Sequence, residues 1–563
     1  MNGQRRAWLK AATLLTGGSG LWGCREAPPL DGGWLGSAHE RGHLLRDLAG
    51  SLPSGAPAVE RQASVVVIGA GVAGLACARQ LLRAGIDDVH VLELEDAPGG
   101  NSRGHQIAGL PCPLGAHYLP LPGPHATEVA ELLSDWGLRS LDHGQPVYDE
   151  RHLCHSPQER LWIEGQWHEG LLPPVETLPA AQRAATQAEY QRFARQIEGL
   201  GARQAFTLPT ARSTWTDALS ALEAQTFAAW LDQEGYVTPA LRWYLDYCCH
   251  DDYGAGAAQV SAWAGVHYFA SRHGFQPPGA PLSERERDTV LTWPQGNAWL
   301  TERLAEPLGA PHTGRLHTGQ LSWRVVPQRH GVAVDCWNTR AAQHERWQAR
   351  QVVLALPLFV AARLLTDSSA PAQALQALRP LMRQAPWLVA NVHLGAPLLH
   401  QEGAAPAWDN LVYQPDLQIS GQAPGRPLGW VDATHQRTRP EPGPTVLTAY
   451  WALGGQDLAQ LQAQRQRLLQ DPWSSWAERV LEQPAQVHPD LRGKVRRIDL
   501  MRYGHGMAIP TPGLRRHPAL RALGATEGGR VHFAHADLSA YSVFEEAVYW
   551  GTRAARSVVK ALR

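Results

Sequence analysis

The chain has 563 residues, 44% of them hydrophobic and 18% charged, and a formal net charge of -1. That length exceeds one simple domain and suits two interleaved ones. The near-neutral balance without a basic stripe excludes nucleic-acid binding through a charged face. The cysteine spacing describes neither a zinc site nor a disulfide framework.

In chain order, residues 1–24 read as an address rather than as fold. Arg5-Arg6 precedes a modestly apolar run over 11–23, too short to span a bilayer as an ordinary helix. The segment resembles a twin-arginine export signal. Leu21-Trp22-Gly23-Cys24 resembles a lipoprotein processing box, although Trp22 is bulky where a small residue is usual. These resemblances imply export by the twin-arginine machinery to the periplasm, with membrane anchorage through a lipidated Cys24. A cytoplasmic protein with a basic N-terminus is the alternative. Residues 25–60, rich in Pro and Gly, read as a linker with one short helix around 39–48.

Residues 64–103 read as strand, glycine turn, helix, strand, acid and a second glycine pair. Val65-Val66-Val67-Ile68 predicts a buried parallel strand. Gly69, Gly71 and Gly74 form G-x-G-x-x-G: a tight turn, a close approach to a pyrophosphate, and tight helix–strand packing. The following helix offers its N-terminus to that pyrophosphate. Glu93 closes the next strand, where it would accept hydrogen bonds from a ribose.

The stretch Leu94-Glu95-Asp96-Ala97-Pro98-Gly99-Gly100-Asn101-Ser102-Arg103 resembles the acid-then-Gly-Gly segment of the flavin-containing amine oxidase superfamily. That superfamily includes monoamine and polyamine oxidases, protoporphyrinogen oxidase and phytoene desaturase-like enzymes. The resemblance implies FAD, with Gly99 and Gly100 along its pyrophosphate and ribityl chain and Arg103 near them. Residues 529–555 resemble the C-terminal FAD motif of the same superfamily. Asp537 stands where Glu is usual and would contact ribityl hydroxyls. Glu546-Ala547 and the later Gly551 resemble the Gly-Ala pair and Gly of the motif, with Glu546 standing in place of the first Gly and His535 in place of an earlier one. The helix N-terminus there would face the flavin edge that becomes anionic on reduction. No cysteine lies in this region, so the FAD is expected to be noncovalent.

Between these ends, Gly115-Ala116-His117 resembles the segment passing close to the isoalloxazine ring, which puts His117 at the flavin. A helix is predicted over 127–136 and a hairpin over 161–168. Helices dominate 179–272, resembling the superfamily's helical insertion. Residues 316–325 and 331–337 read as a strand pair in which Leu321 would touch the adenine. Residues 387–394, 411–413, 428–433 and 446–451 read as a second sheet, 458–481 as one amphipathic helix, and 496–501 as a return toward the flavin.

An oxidation of this kind needs a positioned donor more than a triad. Candidates for the catalytic end are Tyr541 and Phe544 as an aromatic wall, and His505, set between two glycines, as flavin neighbour or general base. Asp251-Asp252 either binds a cationic amine or caps a helix. Trp408, Tyr413, Trp430, His435, Tyr450 and Trp451 are candidates for an aromatic cage. The lysine that many amine oxidases hold near the flavin is missing: Pro386-Trp387 opens the corresponding strand, and lysine occurs only at Lys10, Lys494 and Lys560.

The expected fold is α/β. A Rossmann-type, glutathione reductase-like FAD domain (61–150, 286–360, 491–563) is interleaved with an α+β substrate domain (151–285, 361–490). The expected function is FAD-dependent oxidation of an amine, a polyamine included. The alternatives are a desaturase or dehydrogenase of an apolar substrate with a membrane acceptor, and an FAD-binding protein without turnover.

Overall fold

In a computed structural model of the protein the described residues are 30–36, 38–47, 56–201, 205–272, 274–277, 290–309, 314–415, 425–437, 442–525 and 529–563. The export-signal and lipoprotein readings of residues 1–24 lie outside them.

The chain opens with strand β1 (Gly32–Leu35) and helix α1 (His39–Asp47), then enters β2 (Val59–Ile68), α2 (Val72–Arg83) and β3 (Val89–Leu92). β2 and β3 pair in parallel through the α2 crossover, the connection the glycine turn predicts. Val65 and Val67 pack into the core on one face of β2, and Val66 and Ile68 into the core on the other. A strand covered on both faces reads as an unbroken apolar run.

The remaining elements that matter here are β4 (Glu159–Ile163), β5 (Gln166–Glu169), α3 (Pro239–Tyr253), β6 (Leu316–His317), β7 (Gln320–Pro327), β8 (Val332–Asn338), β9 (Gln343–Leu354), β10 (Gln384–Leu394), β11 (Asp409–Val412), β12 (Arg426–Asp432), β13 (Thr445–Ala452), β14 (Val495–Ala508), β15 (Val531–Phe533) and α4 (Phe544–Leu562). The first sheet runs β6-β3-β2-β9-β8-β7, with β15 also on β9. The second runs β1-β14-β10-β13-β12-β11-β4-β5. Its strands alternate. Trp387, Val389 and Tyr450 face one core, and Leu388, Ala390 and Trp451 the other, as a period of two requires. The molecule is thus the expected α/β pairing of a Rossmann-type domain with an α+β domain.

Three expectations change. Residues 30–36 and 38–47 are docked rather than slack: the expected short helix forms at His39–Asp47 and packs Leu45 into the first core, and β1 joins the second sheet beside β14. The segment 496–501 does not belong to the FAD domain, because β14 lies inside the second sheet between β1 and β10. The helix expected over 458–481 is two, Leu458–Gln470 and Trp473–Val487. Pro472 lacks an N–H and sits in extended backbone at the N-cap of the second. Among the described residues no helix is long and apolar enough to cross a membrane.

Candidate active site

A cavity of about 510 Å³ runs from the glycine turn to the cavity-facing side of the second sheet. At one end Gly69 takes φ +103°, and a Cβ there would sit 2.3 Å from the Ala355 carbonyl oxygen. Gly71 N-caps α2 without any side-chain cap, leaving the first N–H groups for an anion. Gly100 crosses Gly71 so closely that an added Cβ would lie 3.1 Å from the Gly71 Cα. Glu93 accepts hydrogen bonds from the N–H groups of Ala70 (2.7 Å) and Glu95 (2.9 Å), which fixes the turn. Burial pushes its carboxyl above the usual range.

Among the described residues, three buried acceptor atoms of cavity-lining side chains have no hydrogen-bond partner: Asp537 Oδ1, Gln320 Oε1 and Asn297 Oδ1. The other oxygen of Asp537 accepts from the Leu358 N–H (3.0 Å) and the Gln384 amide (3.1 Å). Burial opposes the Asp537 charge, yet His535 and these donors hold its carboxyl below the usual range. His535 Nδ1 lies 3.3 Å from Oδ1, an ion pair when the imidazole is protonated, and Oδ1 has no hydrogen-bond partner among the described residues. A glycine cradle at a bare helix end, with orphaned acceptors beyond it, fits a dinucleotide with its phosphates at α2 and its hydroxyls at Asp537.

The profile of the family "Flavin containing amine oxidoreductase" matches residues 72–559. The chain belongs to this family. Tryptophan 2-monooxygenase of Agrobacterium tumefaciens (strain Ach5) is 34% identical over 114 residues, a match covering 20% of the chain and 14% of that protein's length. Cyclohexylamine oxidase from Brevibacterium oxydans IH-35A superposes with a TM-score of 0.62 at 18% identity, covering 89% of this chain and 99% of that one. Putrescine oxidase bound to putrescine gives 0.60 at 18%, covering 89% and 100%. These two likenesses show the fold. Membership makes the chain an FAD-dependent oxidoreductase.

In this flavin-containing amine oxidoreductase the far end of the cavity is apolar and acidic. Trp387, Val389, Leu428 and Val431 form walls, and Asp251, Asp409 and Glu545 face in. His117 stacks on Tyr450 with centroids 4.2 Å apart, and the Tyr450 hydroxyl donates to the Gly115 carbonyl at 3.1 Å. Burial pushes the His117 imidazole down to about 3, so it is neutral. Asp251 lies in the last turn of α3, while Asp409 on β11 pairs in register with Glu159 on β4. Like charges side by side on adjacent strands repel. Burial, then Asp252 and Glu159, push Asp251 up to about 7. Burial, then Glu159 and Asp251, raise Asp409 well above its usual range. Glu545 is likewise pushed up to about 7 by burial. No ion pair neutralises Asp251 or Asp409 among the described residues; the nearby Arg272 instead pairs with Asp252 at 3.4 Å.

Of the sequence candidates, Gly69, Gly71, Glu93, Gly99, Gly100, His117, Leu321, His505, Asp537, Phe544 and Ala547 line the cavity. Gly74 lies behind the turn, where its missing Cβ lets α2 touch it. Three candidates are displaced. Arg103 turns away, donating to the carbonyls of Gly36 (2.7 Å) and Gly100 (3.1 Å). Glu546, in the first turn of α4, is buried off the cavity and accepts from the Thr210 N–H and the Ser539 hydroxyl. Tyr541 is fully buried, donating to Asp252 and accepting from Arg272 at 2.8 Å. His505 reaches the cavity and stacks on Phe359. Burial, then Arg465, His43 and Arg363, push it down to about 3, too weak a base for neutral pH. Asp251 and Asp252 do not cap the next helix; Ser261 does. Of the proposed aromatic cage only Tyr450 lines the cavity. No lysine lines it among the described residues; Lys494 bonds Asp490 instead.

Tyr541→Phe is therefore expected to leave FAD content and the rate of flavin reduction unchanged within about twofold. It should cost about 1–3 kcal/mol of stability, because Asp252 and Arg272 lose a buried partner. Thermal unfolding and anaerobic stopped-flow check the two halves.

Proposed function

We propose that the chain oxidises a cationic amine at the carbon bearing nitrogen, two electrons and a proton leaving as hydride toward flavin N5. The carrying observation is the pair Asp251 and Asp409, acids lining the cavity with no ion pair of their own among the described residues, while Arg272, which lines it too, is paired with Asp252. When bound, FAD supplies the two-electron acceptor. Asp251 and Asp409 attract and orient the ammonium. Asp251, at about 7, is matched to take the ammonium proton on its carboxylate near neutral pH. The walls at Trp387, Val389 and Leu428 limit water around the reacting carbon. Loss of the ammonium proton to Asp251 and of hydride from carbon leaves an iminium cation, which water hydrolyses to a carbonyl compound and an ammonium or protonated amine. The names of the cyclohexylamine and putrescine oxidases of like fold support an amine without choosing one.

Anaerobic mixing of the holoprotein with monoamines and spermidine tests the reading. Flavin bleaching by a cationic amine is expected; bleaching only by neutral apolar compounds overturns it. A second reading, dehydrogenation of an apolar substrate with a membrane quinone acceptor, draws on the missing cavity lysine and the apolar walls. Quinone-dependent reoxidation of the flavin without hydrogen peroxide would select it. We also propose export through the twin-arginine machinery and lipidation at Cys24. Palmitate labelling of the membrane fraction, lost in Cys24→Ser, is the expected result.

A further inference from the structure

The N-terminal segment that reads as a linker spans both domains and ends on the cofactor cavity. β1 lies parallel to β14, with Gly32 opposite Ile498 and Leu35 opposite Met501. Gly32 takes φ +143°, and a Cβ there would fall 1.8 Å from the Ile498 carbonyl oxygen, so only glycine permits this pairing. The Arg502 guanidinium sits 4.5 Å above the Trp34 ring. After the turn at Gly36, whose carbonyl accepts from Arg103, the Ala38 N–H donates to Glu95 at 3.1 Å. Arg41 on α1 then donates to the Leu94 carbonyl (3.2 Å) and to Asp96 (3.1 Å). These acceptors follow directly on Glu93, the residue at the ribose end of the cavity. From α1, Gly42 and Leu45 form cavity wall together with Leu92, Leu94 and Leu321. The whole segment precedes the residues matched by the family profile.

From this geometry we infer that residues 30–36 and 38–47 form a retaining strap of the cofactor site, and that α1 must leave its seat before FAD can leave or enter. The inference rests on FAD occupying the cavity with its adenosine at Glu93 and Leu321. β1 anchors the strap on the substrate domain, Arg41 clamps it to the segment after β3, and Leu45 closes the wall. FAD release is then coupled to undocking of an element fixed at two places.

The test uses full-length holoprotein and two variants that unseat the strap from opposite ends. Gly32→Val blocks the β1 pairing far from the cavity. Arg41→Ala/Leu45→Ser removes the clamp and the wall. FAD release is followed by flavin fluorescence after mixing with an excess of a flavin-free flavoprotein as trap, and folding by circular dichroism. The expected result is release at least ten-fold faster in both variants with wild-type dichroism. Release within twofold of wild type in either folded variant overturns the strap. Should Gly32→Val fail to fold, the Arg41→Ala/Leu45→Ser rate decides alone. Wild-type protein that neither carries nor takes up FAD would instead fail the cofactor reading on which the strap rests.

Discussion

Gly74→Val is expected to yield protein that purifies without flavin and unfolds at a lower temperature. A Cβ at Gly74 would sit 1.9 Å from the Gly69 carbonyl oxygen and 3.2 Å from the Ala355 Cβ. Neither neighbour can yield, because one is the backbone of the phosphate turn and the other follows β9. α2 would have to move off β2, carrying with it the N–H groups aimed at the cofactor. Overpacking alone costs about 1–3 kcal/mol; the displaced anion site removes FAD as well, and with it the stabilisation a tight ligand adds by mass action. Gly551→Val should act alike from the other chain end, since a Cβ there would lie 2.2 Å from the Ala73 carbonyl where α4 crosses α2. Gly199→Ala, with nothing within 4 Å of the added atom, is the control: full flavin content, and about 0.5–1 kcal/mol gained in a helix. Visible absorbance of the purified proteins and their melting curves separate the three.

These glycines are also why half of the site is legible in the sequence. Close backbone approach admits one residue type at fixed spacing, so the spacing of Gly69, Gly71, Gly74 and Gly551 by itself announces a contact. Apolar patterning serves as well for the second sheet, whose runs at Trp387–Val389 and Tyr450–Trp451 stay unbroken because the strands are covered on both faces. It does not say which side faces the cavity, and the aromatic cage dissolves because Trp451 and Trp430 turn the other way. At the start of α4 the acid next to the expected one lines the cavity. One residue is a rotation of about 100° on a helix, so Glu545 points in while Glu546 bonds to Thr210 and Ser539. Motif position locates Tyr541 only by region; its hydroxyl is taken up instead by the buried Asp252–Arg272 pair. The strap hides behind composition. Pro and Gly read as slack, yet Gly32 and Gly36 are there because β14 comes so near: a Cβ at Gly36 would lie 2.6 Å from the Met501 sulfur. Asp409 carries no sequence signal, since β11 brings it to Asp251 only through the folded sheet.

Asp251→Asn is expected to raise KM for a cationic amine by about 100-fold at pH 8 while leaving FAD content unchanged. An ion pair at 4 Å is worth about 4 kcal/mol at an effective dielectric of 20, and part of that is lost to desolvation; about 2.7 kcal/mol gives the factor. The same substitution should make the free enzyme more stable at that pH. An Asp whose folded pKa rises from 3.8 to about 7 binds its proton more tightly in the native state than in the unfolded chain. As pH climbs across that interval the unfolded chain gives up the proton first, so native stability is full below pH 4 and falls until about pH 7. Wild-type melting temperatures should therefore decline between pH 5 and 8, and in Asp251→Asn the decline should shrink. Amine affinity has the opposite sign. It depends on the ionised carboxylate and should increase through pH 7 in the wild type but stay level in the variant. Titrations of amine binding at pH 6 and 8, set beside melting curves at the same pH values, read both slopes. Removing a charge that destabilises the empty cavity, and finding that amine no longer binds tightly, would identify Asp251 as an acid whose desolvation is offset by the cation it receives. Equal amine affinity in the two proteins at pH 8 would remove Asp251 from the binding site.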